Sequence, residues 1–231
     1  MFILLLSVIG LLSFHLVHKQ QPTTTYERPW FQDRGLTKQY DISCYTDTCE
    51  VFLSSSIDER SNYIGLVKLI ETAPKDSTIN IHLSGDGGST DTVIYIGNAV
   101  KLSKATVNTI IDGPVYSAHA YLALLGKKIT FAPNVFLMFH GPAALVRHAD
   151  GSTEYISIDD VCNLVNEKDK DRGQSARRKC VEGNVFYKEA VYNYLKTFGK
   201  GYLDDNEMKA ISDGYDVYIS GLKMSTKNIS K

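Results

Sequence analysis

Between Tyr40 and His140 the chain switches repeatedly between two hydrophobic periods, about 2 residues and about 3.6, and each switch marks an element boundary. The runs YDISCY and CEVFLSSSI predict two strands. In SNYIGLVKLIETA the apolar residues Ile64, Leu66, Val67, Leu69 and Ile70 recur at helical spacing, and Pro74 turns the chain. INIHLS returns to alternation, with Ile79, Ile81 and Leu83 on one face and His82 on the other, before the glycine-rich GDGGS and the helix-like TVIYIGNAVKLS. This strand-turn-helix unit repeats in kind. TVNTIID is a strand, GPVYS a tight connection, AHAYLALLG a short apolar helix ended by Gly126, and KITFA and VFLMFH are two further strands. Stacked units of this sort predict a single-domain α/β fold built as a spiral of ββα units with parallel pairing. No GxGxxG or Walker loop is present, which argues against a dinucleotide-binding fold.

Beyond His140 the pattern changes to a polar stretch, VRHADGSTEY, and a charge-rich run, EKDKDRGQSARRK, that reads as a solvated helix face or loop. A long helical pattern follows in NVFYKEAVYNYLKTFG, and the last helix starts at LDDNEMKAI, where Asp204 with Glu207 three residues on forms a capping-box pattern. At the other end, Met1 to Val17 is apolar except for Ser7, Ser13 and His15, the lower edge of the roughly 17–25 residues that span a bilayer. It lacks a basic leading region and a clear small-x-small cleavage site, so residues 1–18 read as an uncleaved signal anchor, with a cleaved signal peptide as the alternative. Residues 19–38 are a polar, Pro-containing tether, 39–223 the folded domain and 224–231 a tail.

The chain has 231 residues, 43% of them hydrophobic, enough for one sizeable core. Its net charge of −1 leaves no basic surplus to neutralise a phosphate backbone, so no nucleic-acid partner is expected. Cys44 and Cys49 bracket the loop YTDT, which suits a disulfide-closed hairpin, and Cys162 with Cys180 could form a second bridge. Four cysteines allow three connectivities, and free thiols in a reducing cytosol are the alternative. No zinc-ligand spacing occurs, and no metal or cofactor is expected. The cations nearest the apolar segment, Lys19 and Arg28, follow it and favour a cytoplasmic body, whereas the cysteines favour an extracytoplasmic one, anchored at the cell envelope.

Three motifs carry candidate chemistry. GPVYSAHAYLALLG places Ser117 at a strand-to-helix turn, where unpaired backbone N–H groups and the positive end of the helix dipole favour a developing oxyanion. A serine used only as a helix cap would stand in the same place. In SGDGGS the side-chain-free Gly87 and Gly88 let a peptide approach the backbone closely and offer an N–H to its carbonyl. His140 ends the strand VFLMFH, a position suited to a general base opening onto a cleft and equally available to a structural histidine. His119, on the other side of the serine's helix, and His82, in an alternating strand, are competing histidines.

Together these motifs resemble the proteolytic subunit of Clp protease, from Thr48 to Tyr218. That family's strand, small-Pro-Gly-Gly loop and Ile-Tyr helix are matched by INIHLSGDGGSTDTVIYIGNAV, its Gly-x-Ala-x-Ser-x-Gly/Ala by GPVYSAHA, and its Met-Ile-His-x-Pro by LMFHGP, with ALPN echoed in APN. The resemblance implies a crotonase-like fold and a serine-type endopeptidase, with Ser117 as nucleophile and His140 as base. Its oxyanion hole would be built from the N–H groups of Gly88 or Gly87 and of Ala118. It further implies peptide or unfolded-protein substrates and a homo-oligomeric ring. The usual ATPase partner is not expected, because the end of the chain that lines the family's entry pore is here a membrane segment.

One element departs from the family: Lys200 stands where its Asp should be, and a lysine cannot accept the imidazole Nδ1–H. Asp204 and Asp205 are the nearest substitutes, with Glu189 or a backbone carbonyl as further options; membrane-linked relatives that pair Ser with Lys keep Lys200 as an alternative base. Two other readings stand beside the peptidase: a catalytically impaired Clp-like subunit with a structural or regulatory role, and a crotonase-type acyl-CoA enzyme.

Overall fold

The computed structural model describes residues 40–141, 143–148, 150–157, 159–162 and 173–228; the expected anchor and tether lie outside them. Among the described residues no helix is long and apolar enough to cross a membrane. Strands β1 (Asp41–Tyr45), β2 (Thr48–Leu53), β3 (Thr78–Gly85), β4 (Thr106–Tyr116), β5 (Ile129–Phe131), β6 (Phe136–Phe139) and β9 (Val217–Ser220) form one sheet. Its order is β1-β2-β3-β4-β6-β9, with β5 also paired to β4. A separate two-stranded sheet holds β7 (Ala143–Arg147) and β8 (Thr153–Ser157).

The expected parallel pairing holds for β2, β3, β4, β5 and β6, while the edges β1 and β9 run antiparallel to their neighbours. Parallel neighbours need crossovers, and helices α1 (Ile64–Thr72) and α2 (Thr90–Leu102) provide them. Their apolar faces, including Leu66, Leu69, Ile70, Val93 and Ile96, cover Val51, Ile79, Ile81, Leu83, Val107 and Ile111 in one continuous core. On the opposite sheet face His82 lies between Glu50 and Asp112, at 2.9 and 2.7 Å, and stacks on Phe52.

Helix α3 (Ala118–Ala123) follows β4 directly, and α4 (Gly173–Tyr194) continues into a π-helical turn over Leu195–Gly199. Helix α5 (Asp205–Ser212) carries the capping box at Asp204 and Glu207. Helix α6 (Gly221–Asn228) takes in part of the expected tail. The polar stretch after His140, unassigned from sequence, is the β7–β8 hairpin, and helix α4 begins within the charge-rich run.

This topology delivers three loops to one place. The carboxyl ends of β3, β4 and β6 lie side by side, with Gly85 opposite Val115 and Tyr116 opposite Met138, so SGDGGS, Ser117 and His140 leave the sheet at a common edge. A crevice beyond the carboxyl ends of parallel strands is where open α/β sheets bind ligands.

Cys44–Cys49 closes the β1–β2 hairpin at directly paired positions, and Cys162–Cys180 ties the segment after β8 to α4. With a sequence separation of 18 against 5, the second bridge constrains more of the unfolded chain. Replacing Cys162 and Cys180 by alanine is expected to lower unfolding free energy by about 3 kcal/mol in urea titrations, against about 2 kcal/mol for the Cys44/Cys49 pair.

Candidate active site

Ser117 occupies the sharp turn from β4 into α3 with φ 52° and ψ −122°, a conformation costing roughly 1–3 kcal/mol for a residue with a Cβ. Its N–H donates to the Met138 carbonyl at 2.8 Å, which fastens the turn to the end of β6. The hydroxyl makes no capping bond to α3, so the simple N-cap role does not account for it. It lines a cavity of about 510 Å³ shared with His140, Asp86, Gly88, Tyr121 and Asp216.

His140 is half-buried, directly after β6. Its Nδ1 lies 2.6 Å from the Gly141 carbonyl. A carbonyl only accepts, so Nδ1 carries the proton there and Nε2 keeps the lone pair of a base. The Tyr121 hydroxyl donates to the His140 carbonyl at 2.7 Å, and the Tyr194 hydroxyl donates to the Tyr121 carbonyl at 2.9 Å. Burial pushes both phenols well above their ordinary range, which keeps them neutral donors.

The glycines of SGDGGS are dictated by close contacts. A Cβ on Gly87, at φ 110°, would lie 2.5 Å from Ser117 Cβ, and one on Gly88, at φ 138°, would lie 1.9 Å from the Ile57 carbonyl oxygen. Ile57 N–H donates to Gly87 O at 2.8 Å and Ser89 N–H to Ile57 O at 2.7 Å. The Gly87 N–H is also committed, donating to His119 Nδ1 at 3.0 Å. Of the two glycines put forward for an oxyanion hole, Gly88 is therefore the one whose N–H no described residue claims, and the Ala118 N–H, at the start of α3, is likewise unclaimed.

The acids named from sequence are not gathered here. Asp204 spends its carboxylate on the Glu207 N–H at 2.9 Å, and Asp204, Asp205, Glu189 and Lys200 are all exposed and outside the cavity lining. The carboxylates that do line it, Asp86 and Asp216, went unremarked in the sequence reading. Extending the antiparallel register past Phe139 and Val217 sets Asp216 across from His140. The signal that could have found it is the pairing of β9 with β6. Among the described residues, no group of three or more His, Cys, Asp or Glu is placed to hold a metal.

Comparison with known proteins bears on the family and the fold. The family profile for Clp protease matches residues 34–167, more than half of the chain. The chain belongs to the Clp protease family. Among curated relatives it is similar to an ATP-dependent Clp protease proteolytic subunit 1 of Corynebacterium glutamicum, 25% identical over 131 residues, covering 54% of this chain and 63% of that one. The equivalent subunit of Thermobifida fusca is 23% identical over 150 residues, covering 62% and 68%. The matches thus span about two thirds of those relatives' lengths. In structure the chain is similar to the Clp protease catalytic domain of Plasmodium falciparum, with a TM-score of 0.51, 19% identity and coverage of 80% and 82%, which supports the Clp-type fold.

Burial pushes His119 down from 6.5 to about 4, against the charge of Asp86 and the Leu53 carbonyl, which both favour the protonated ring. The unfolded imidazole takes up its proton as pH falls through 6.5, and the folded one only near 4. This contribution to stability is therefore fully present above pH 6.5 and lost as pH falls to about 4, on the order of 3 kcal/mol. Urea titrations from pH 7 to 4 should show this loss, and His119→Leu should flatten it.

Proposed function

We propose that the protein is a serine peptidase of the Clp type that cleaves peptide bonds through an acyl-enzyme on Ser117. The observation that carries this reading is the uncapped, strained Ser117 sharing a cavity with a His140 whose Nδ1 is held by the Gly141 carbonyl. Nε2 takes the Oγ proton as Oγ attacks the scissile carbonyl, and then delivers that proton to the leaving amine. The N–H groups of Gly88 and Ala118 stabilise the oxyanion, and water, activated by the same Nε2, releases the acyl group. The Gly141 carbonyl orients the ring as a carboxylate does in the usual triad, but it adds no negative charge to stabilise the imidazolium. Turnover below that of a complete triad follows.

Substrates are peptides or unfolded chains, and protomers assemble into a homo-oligomeric ring, as membership of the family suggests. The apolar run at Met1–Val17 tethers the domain to the membrane, and the two disulfides support an oxidising, extracytoplasmic setting without the usual ATPase. Thiol alkylation of intact cells should then leave Cys162 and Cys180 unmodified until a reductant is added; immediate alkylation would place the domain in the cytosol.

A fluorophosphonate probe should label the folded wild type at neutral pH and leave Ser117→Ala unlabelled, with His140→Ala slowed by roughly 10²–10⁴-fold. Absence of labelling in the wild type would sink the peptidase. It would favour a non-catalytic subunit, a reading motivated by the lack of any carboxylate hydrogen-bonded to His140 among the described residues.

A further inference from the structure

His119 is an anomaly that the peptidase reading leaves unused. It is fully buried in α3 beside Ala118, Ala120, Tyr121 and Leu122, where an apolar residue would pack without desolvating an imidazole. Its Nε2 makes no hydrogen bond of ordinary geometry among the described residues, although the Leu53 carbonyl is close enough to favour a proton on the ring. The chain has also made room for it. A Cβ on Gly85 would lie 2.8 Å from His119 Cε1 and 3.0 Å from Nε2.

The well-formed hydrogen bond of the ring ties it to the glycine loop, where Nδ1 accepts the Gly87 N–H at 3.0 Å. On the other side Ile57 takes up Gly87 O and Ser89 N–H. Between these two clamps the Gly88 N–H is the unclaimed donor. His119 lies two residues after Ser117, so its grip on Gly87 joins the nucleophile's turn and the glycine strand into one rigid unit.

Building on the peptidase reading, we propose that His119 is the positioning residue of the oxyanion hole. Its unprotonated Nδ1 holds the Gly87–Gly88 strand so that the Gly88 N–H faces the substrate carbonyl beside Ser117. Without that acceptor the Gly87 N–H would compete with Gly88 for the same oxygen or turn the strand out of register. The transition state would lose a preorganised donor while substrate binding stayed largely as it was.

Two variants separate this role from packing. His119→Asn places a carboxamide oxygen near the Nδ1 position, and His119→Leu fills the space with an apolar group. Positioning predicts that Ser117 labelling by an uncharged fluorophosphonate, and kcat on a peptide, stay near wild type in His119→Asn and fall by roughly 10²-fold in His119→Leu with KM unchanged. A packing role predicts the reverse order, because leucine is buried at no polar cost. Equal rates in the two variants, or the reverse order, overturn the proposal while leaving the peptidase intact. An unlabelled wild type overturns both. Should neither variant fold, a ¹⁵N–¹⁵N scalar coupling across the hydrogen bond from Gly87 N to His119 Nδ1 in the wild type is the expected result, and its absence overturns the proposal.

Discussion

The cavity depends on one backbone hydrogen bond, from the Ser117 N–H to the Met138 carbonyl. Parallel pairing of β4 with β6 is brief, Val115 with Leu137 and Tyr116 with Met138, and this bond carries the attachment one residue past the last paired strand position. It holds Ser117 in a backbone conformation that the residue would not adopt alone, and the surrounding contacts with Gly87 over-determine it. Strain of this kind persists only where neighbouring structure enforces it, and here the enforcing elements are the ones that carry the other functional groups.

Much of this could be read from the chain before any coordinates. Alternation in INIHLS and the helical spacing of SNYIGLVKLIETA reflect burial of one face, so β3 and α1 were legible, as was the local chemistry of the Asp204–Glu207 capping box. Ser117, His140 and the paired glycines stood out because a turn, a strand end and an absent side chain each leave a mark on local sequence. The β7–β8 hairpin left none, since its two strands lie apart from the main sheet and neither AALVR nor TEYIS alternates strictly between apolar and polar positions. Asp216 was invisible because its place beside His140 comes from β9 pairing with β6, a contact between distant segments. The Gly141 acceptor is a main-chain atom and has no residue type to announce it. His119 looked like a bystander on its helix until packing set it against Gly85 and Gly87.

Among the described residues no carboxylate is hydrogen-bonded to His140, and its Nδ1 meets the neutral Gly141 carbonyl instead. Charge is nevertheless present in the cavity, through Asp86 and Asp216, and among the described lining residues no lysine or arginine offsets it.

The chain of contacts from Tyr194 through Tyr121 to His140 makes the long helix α4 part of the same mechanical assembly as His140. Both phenols are buried and have no water to turn to, so breaking either bond strands a donor in the interior. A displacement of α4 along its axis must either drag the imidazole's backbone with it or pay that desolvation in full. Whatever grips the outer length of this helix thus holds a lever on the backbone that carries His140.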